Sequence, residues 1–200
     1  MYGCEEIHFG VESGSQRIID IINKKIKVSD VIPVFQRVLD ADILPRASFI
    51  FGMPGETIED VKQTIYLIME MAERFGNRFV INNFFFYPIP NTPMTDEAFK
   101  GLTAQDCIDA ARLSVHPYKL FERFDRFYDW LPDKKFFTEC WYIARVISEI
   151  CAPYVYYEGY NPKIKEWGLS VCEETYDKLI DCPDEIVDVV GKWLDRVINY

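Results

Sequence analysis

An α/β fold with a parallel sheet is what this sequence predicts, and three observations carry the prediction. Runs with strand character recur at Glu6 to Glu12, Ala47 to Phe51 and Phe79 to Tyr87. Between them lie segments with apolar residues at helical spacing, and each connection is long enough to cross over between parallel strands. Tight turns follow the strands directly, at Ser13-Gly14-Ser15, at Gly52-Met53-Pro54-Gly55 and in the proline-rich Pro88 to Pro93.

Glu6 to Glu12 alternates, with Ile7, Phe9 and Val11 on one side and His8, Gly10 and Glu12 on the other, as in a strand with helices over its apolar face. Ser15 stands where an N-cap belongs, ahead of a helix carrying Ile18, Ile19 and Ile22. A second helix, capped by Ser29, places Val31, Val34, Phe35, Val38 and Leu39 on one stripe and stops near Asp42, a short polar residue that tolerates the left-handed conformation. From Ala47 to Phe51 only Ser48 breaks the apolar run, the pattern of a strand covered on both faces. Thr57 with Asp60 three residues on is a helix-capping pair, followed by Val61, Ile65, Ile68, Ala72 and Phe75 at helical spacing. The third strand is cut by Pro88, Pro90 and Pro93. Beyond Met94 the chain turns mainly helical, with helices expected over Thr103 to Leu113, Phe136 to Cys151 and Asp184 to Ile198. Two aromatic tracts, Tyr118 to Trp130 and Tyr154 to Tyr160, read as packing, with a lid or partner surface as the alternative. The domain division expected is 1–95 and a helical extension over 96–200.

A hydrophobic content of 49% is enough to bury a sizeable core, and no window has the apolar length of a membrane span. The net charge of −10 is spread along the chain without a basic stripe, so no nucleic-acid partner is expected. Six cysteines lie far apart, at 4, 107, 140, 151, 172 and 182, with no signal-peptide pattern, which suggests the reducing cytoplasm. None forms a CxxC or CxxxCxxC cluster, so no metal site is expected from their spacing.

Ligands of α/β folds collect at the C-terminal ends of parallel strands, where the backbone of each loop is held by the sheet and its groups stay available. Three such ends line up here: GVESGS at 10–15, FGMPGET at 51–57 and YPIPNTP at 87–93. Together they resemble the radical SAM superfamily, in the branch whose strand ends read GxESG, GxPGET and yPxPGTP. That branch holds cobalamin-binding radical SAM proteins with methylthiotransferase-like and coproporphyrinogen-oxidase-like relatives. The resemblance covers residues 3 to about 95 and implies the last three βα units, the fourth to sixth strands, of a partial TIM-like (β/α)6 barrel. Asp42 and Asn91 stand where the pattern has Gly, and both tolerate a left-handed backbone.

The resemblance also implies site residues. Glu12 corresponds to a residue that hydrogen-bonds a ribose hydroxyl of S-adenosylmethionine, for which a carboxylate is a suitable double acceptor; a helix-capping carboxylate is the alternative. Ser13 adjoins it in the same strand end. Lys24 corresponds to a basic residue that pairs with the methionine carboxylate, or is a solvated helix-end lysine, with Lys25 beside it in the register. Ser48 corresponds to a residue reaching the ribose from inside its strand, or else bonds to backbone. Gly52, Met53 and Pro54 belong to the turn that would pack on the adenine. His8 shares the face of Glu12 one pleat below, where substrate would sit, or is a core histidine with satisfied partners.

In the superfamily the CxxxCxxC loop that binds the [4Fe–4S] cluster follows the first barrel strand, and this sequence has no such signature. The expectation is a C-terminal half of a radical SAM core. Its parent would cleave S-adenosylmethionine reductively at the cluster to a 5′-deoxyadenosyl radical, with cobalamin as a further cofactor the branch implies. The chain alone is expected to hold no cluster and to be inactive, with the missing N-terminal half of the barrel as partner and a small molecule as substrate. The competing reading is a non-catalytic half-barrel that acts as a scaffold or interaction protein. An open barrel would leave the Glu6 to Glu12 strand with an unpaired edge, a route to self-association.

Overall fold

The computed structural model describes residues 3–114 and 116–151. Three strands, β1 (Glu6–Glu12), β2 (Leu44–Phe51) and β3 (Val80–Phe85), form one sheet in that order, and both pairings are parallel. Helices α1 (Gln16–Ile21) and α2 (Val31–Asp40) connect β1 to β2, and α3 (Ile58–Phe75) connects β2 to β3. After the proline turn come α4 (Pro93–Ala98), α5 (Ala104–Leu113), α6 (Pro117–Phe124) and α7 (Lys134–Cys151). The architecture is α/β and compatible with part of a (β/α) barrel. Asp184 to Ile198 and the tract Tyr154 to Tyr160 lie outside the described residues.

Burial alternates strictly along β2: Pro45, Ala47, Phe49 and Phe51 are buried, while Leu44, Arg46, Ser48 and Ile50 are half-exposed. The expectation of a strand covered on both faces is therefore corrected among the described residues. Among the described residues the apolar side chains of β2 are buried on one face, and on the other Glu6, His8, Arg46, Ser48 and Asn82 pair with one another. On the covered face α7 packs against both β3 and α3, and the Nδ2 of buried Asn83 donates to Ser148 of α7 at 2.6 Å. One contiguous core thus joins the sheet to residues of both halves of the chain, from Val11 and Phe35 to Phe137 and Ile147. At one end Phe9, Phe35, Phe75 and Phe79 meet ring to ring; at the other Phe85, Phe86, Phe99, Phe121, Tyr128 and Trp130 do so. Burying each such ring contributes roughly 1.5–3 kcal/mol. The first aromatic tract is accordingly packing, with Leu120, Phe124 and Tyr128 buried and Tyr118 exposed.

Local signals explain most element boundaries. Thr57 and Asp60 form the expected capping box at the start of α3, and the five apolar positions read from its spacing are all buried. Thr103 and Asp106 repeat the device on α5. Asp42 and Asn91 take φ of 59° and 62°, the left-handed conformation for which their residue types suit them. Two caps differ from expectation. A 3₁₀ turn over Val28–Asp30 precedes α2, so its N-cap position falls to Asp30 and not to Ser29. Ser15 does occupy the N-cap position of α1, but its hydroxyl makes no capping bond, because it donates to Asp60 instead.

Candidate functional site

The C-terminal ends of β1 and β2 carry unusual backbone. Glu12 closes β1 with φ 67°, and the register with β2 slips between Gly10 and Glu12. A glutamate in this conformation costs roughly 1–2 kcal/mol, which the surrounding structure must compensate. Part of the compensation is visible: Lys24 Nζ donates to Glu12 Oε1 at 2.6 Å in a half-buried ion pair. Gly10 makes the room, since a Cβ there would stand 2.3 Å from Glu12 Oε1 and 2.6 Å from Lys24 Nζ. Of the two adjacent lysines it is therefore Lys24 that joins Glu12.

The residues after Glu12 turn away from the strand end and dock on α3. Ser13 is fully buried, its hydroxyl 3.1 Å from Thr64 Oγ1 and accepting from Ser15 N at 3.1 Å. Gly14 N donates to Thr64 Oγ1 at 2.9 Å, and a Cβ on Gly14 would lie 2.5 Å from the Gln63 carbonyl oxygen. Asp60 gathers the rest. It accepts from Ser15 Oγ at 2.6 Å, from Arg17 through both Nε and Nη2, and from Thr57 N at 2.9 Å, while Arg17 Nη2 also donates to Gly55 O at 2.6 Å. One carboxylate on α3 thereby ties the SGS turn to the PGET turn. Burial pushes the Asp60 carboxyl up, but the bonds from Arg17, Ser15 and Thr57 outweigh it and hold the group well below the usual carboxylate range.

The turn after β2 is built around Glu56. Gly52 and Gly55 take φ of 77° and 80°, and a Cβ on Gly52 would stand 2.2 Å from the Phe85 ring, so glycine is required there. Glu56 Oε2 accepts from Gly52 N at 2.6 Å and Met53 N at 3.2 Å, while its Oε1 is buried without a hydrogen-bond partner. Burial pushes this carboxyl up to about 8, against the two backbone bonds, so it carries a proton at neutral pH. Trp130 Nε1 donates to Gly52 O at 3.2 Å. Gly52 and Met53 are buried, and Pro54 and Gly55 are the residues of the turn that solvent reaches.

Below Glu12, the half-exposed face of the sheet carries a polar row. His8 Nε2 lies 2.7 Å from Ser48 Oγ and 3.4 Å from Asn82 Nδ2, and Arg46 Nη1 donates to Asn82 Oδ1 at 3.4 Å. Arg46 Nε donates to Glu6 Oε1 at 2.5 Å, a bond that lowers the Glu6 carboxyl. The partner that Ser48 finds is thus the His8 imidazole and not a backbone group. The geometry brings Glu12 together with Lys24, His8 with Ser48, and Gly52 with Pro54, while the hydroxyl of Ser13 is spent inside the turn. Sequence reasoning missed Gly10, Arg17, Glu56, Thr64 and Trp130. An acid placed directly after Pro-Gly was a usable signal for Glu56; for Arg17 and Trp130 the sequence offered none, because their partners lie 38 and 78 residues away.

A parallel βαβαβ unit with a carboxylate, a lysine and a glycine turn at its strand ends places this chain in the α/β class, with its polar groups gathered where such sheets present ligand-accessible loops. The particular likeness is sharper: residues 1–68 match the model of the radical SAM superfamily. Among curated proteins, a tRNA-2-methylthio-N(6)-dimethylallyladenosine synthase of Paracoccus denitrificans is 36% identical over 89 residues, 44% of this chain and 19% of its own. A threonylcarbamoyladenosine tRNA methylthiotransferase of Thermotoga maritima is 32% identical over 92 residues, 45% of this chain and 20% of its own. The resemblance to the radical SAM superfamily, with methylthiotransferase-like relatives, is thereby shown. The chain spans about a fifth of the length of the curated relatives it matches.

Proposed function

We propose that β1, β2 and β3 are the fourth to sixth strands of a radical SAM barrel and that their C-terminal ends hold part of an S-adenosylmethionine molecule. The observation that carries this reading is Glu12, a carboxylate kept at φ 67° at a strand end by Lys24, beside a glycine turn. Glu12 Oε1 is held by Lys24 at this strand end, and a ribose diol calls for a carboxylate acceptor of this kind. The donor set fits such a ligand: Glu12 would accept from the ribose, Lys24 would orient Glu12 and offer a cation to the ligand carboxylate, and Pro54 with Gly55 would present an apolar edge to the base. Bound S-adenosylmethionine would supply the radical chemistry once the [4Fe–4S] cluster of the complete enzyme gives it one electron. Among the described residues no three His, Cys, Asp or Glu come together to hold a metal ion.

In this reading the thiolates for a [4Fe–4S] cluster come from a partner segment that completes the barrel, and the transformation the complete enzyme performs is of the radical SAM type. The His8–Ser48–Asn82 row would then face the substrate. Calorimetric titration with S-adenosylhomocysteine is the test. Glu12→Gln should weaken binding roughly 5- to 150-fold, the value of a charged hydrogen bond of about 1–3 kcal/mol. Unchanged affinity in a folded Glu12→Gln chain would reduce Glu12 to a turn element. A second reading, an interaction module, draws on the pairing of β1 on one side only among the described residues.

A further inference from the structure

The polar row on the sheet draws on three strands: Glu6 and His8 from β1, Arg46 and Ser48 from β2, and Asn82 from β3. Register sets them together, with Arg46 opposite His8 and Ser48 opposite Asn82. Glu6 Oε1 fixes the guanidinium by accepting from Arg46 Nε at 2.5 Å. Arginine has donors only, so the Asn82 atom that Arg46 Nη1 meets at 3.4 Å is Oδ1, and the amide Nδ2 is left facing His8 Nε2, also at 3.4 Å. An N–H on Nε2 would set two donors against each other there. Nε2 therefore keeps its lone pair, and the Ser48 hydroxyl, which can donate or accept, donates to it at 2.7 Å. Which ring nitrogen carries the proton follows from the bond that the other makes, so in the neutral imidazole the proton is on Nδ1. Both hydrogen bonds of His8 to described residues are made through Nε2, and the residue is exposed.

We infer that Asn82 is a positioning residue, set by Arg46, that fixes His8 as the neutral Nδ1–H tautomer, so that His8 offers an N–H donor at the open face of the sheet. A ligand group that meets it is then an acceptor, such as a carbonyl oxygen or an unprotonated ring nitrogen. A second donor is rejected, since donor against donor leaves both without a bond. The tautomer stands on the bonds alone, whereas the role toward a ligand rests on the proposal that this row faces the substrate. The rival state is a solvated imidazole that exchanges its proton freely, and unrestrained histidine favours the proton on Nε2.

Nitrogen NMR of the full chain with labelled histidine is the experiment, in alkaline buffer where imidazole is neutral. The chain has two histidines, and a His116→Gln background leaves His8 alone in the spectrum. His8 Nδ1 should resonate as a protonated, pyrrole-type nitrogen and Nε2 as an unprotonated, pyridine-type one. Asn82→Asp keeps an acceptor toward Arg46 and puts a second acceptor where the donor to His8 stood, so the two resonances should exchange types. Arg46→Met frees the amide to turn and should give the averaged pattern of His8 in the urea-unfolded chain. Diethyl pyrocarbonate, which acylates an unprotonated ring nitrogen, should modify His8 slowly in the parent and fast in Asn82→Asp, whose Nδ1 lone pair is then exposed. An Nε2–H or averaged pattern in the parent would overturn the inference, as would an Nδ1–H pattern that survives both substitutions in folded chains. Slow acylation of Asn82→Asp would show Nδ1 enclosed and overturn the donor role. Failure of S-adenosylhomocysteine to bind a chain with the expected pattern would count against the proposed ligand site alone.

Discussion

Replacing Glu56 by Gln should flatten the dependence of stability on alkaline pH. In the unfolded chain this carboxyl ionises at its ordinary value of 4.5; in the fold burial raises it to about 8, with Asp60 adding to the rise and Arg17 opposing it. Below pH 4.5 both states hold the proton and the folded state carries no penalty. Between 4.5 and 8 the unfolded chain has released the proton while the folded chain retains it, so stability falls as pH rises, and above 8 the loss levels off. At ~1.4 kcal/mol per pH unit, that interval amounts to at most about 5 kcal/mol. A Gln side-chain oxygen can still accept from Gly52 N and Met53 N, so the variant keeps the turn but not the titration. Urea unfolding of both proteins from pH 5 to pH 9 is the assay. Wild type should lose several kcal/mol across this range, with a much smaller loss for Glu56→Gln. Parallel curves would refute the assignment of a buried, protonated Glu56. Asp60 governs the acid side of the same profile: its folded carboxyl lies below the ordinary 3.8, so its contribution is present above 3.8 and is lost as pH falls below it.

Further outcomes follow from the same geometry. Gly14→Ala should cost about 1–3 kcal/mol in chemical denaturation, because its Cβ would meet the α3 backbone at 2.5 Å, and the nearest atoms cannot rotate away. Glu12→Gly should be more stable than Glu12→Ala by about 1 kcal/mol, since both remove the carboxylate and only alanine is strained at φ 67°; equal melting points would show that the strain is absent. Light scattering over a dilution series should reveal self-association through the β1 edge, and a chain that stays monomeric at high micromolar concentration would count against that edge as a docking strand.

Where a signal is carried by neighbours in sequence, it was legible. The capping pair Thr57 and Asp60, the apolar stripe of α3 and the left-handed Asp42 and Asn91 depend on groups within one or two turns of one another, and the structure has each of them. The apolar run in β2 misled, because hydrophobicity alone does not say whether a strand's second face meets helices or polar neighbours. Ser29 misled because a 3₁₀ turn competes with an α-helical start over so few residues.

Residue order alone was enough to show a parallel α/β protein, the ends of β1 and β2 at Glu12 and Phe51, and strand-end motifs GVESGS and FGMPGET that resemble those of radical SAM proteins, while β3 stops at Phe85, two residues short of the expected Tyr87. Periodicity and turn chemistry are local, and they survive translation into a string of letters. Which side chains face one another is settled by the folded chain: Lys24 rather than Lys25 grips Glu12, Ser13 is spent on Thr64, Asp60 joins the two turns through Ser15 and Arg17, and Trp130 reaches Gly52. These pairings span many residues of sequence and are set by sheet register and by the packing of α3 and the aromatic tract. A hydrogen bond forms within about 3 Å, a distance that no spacing in the sequence encodes.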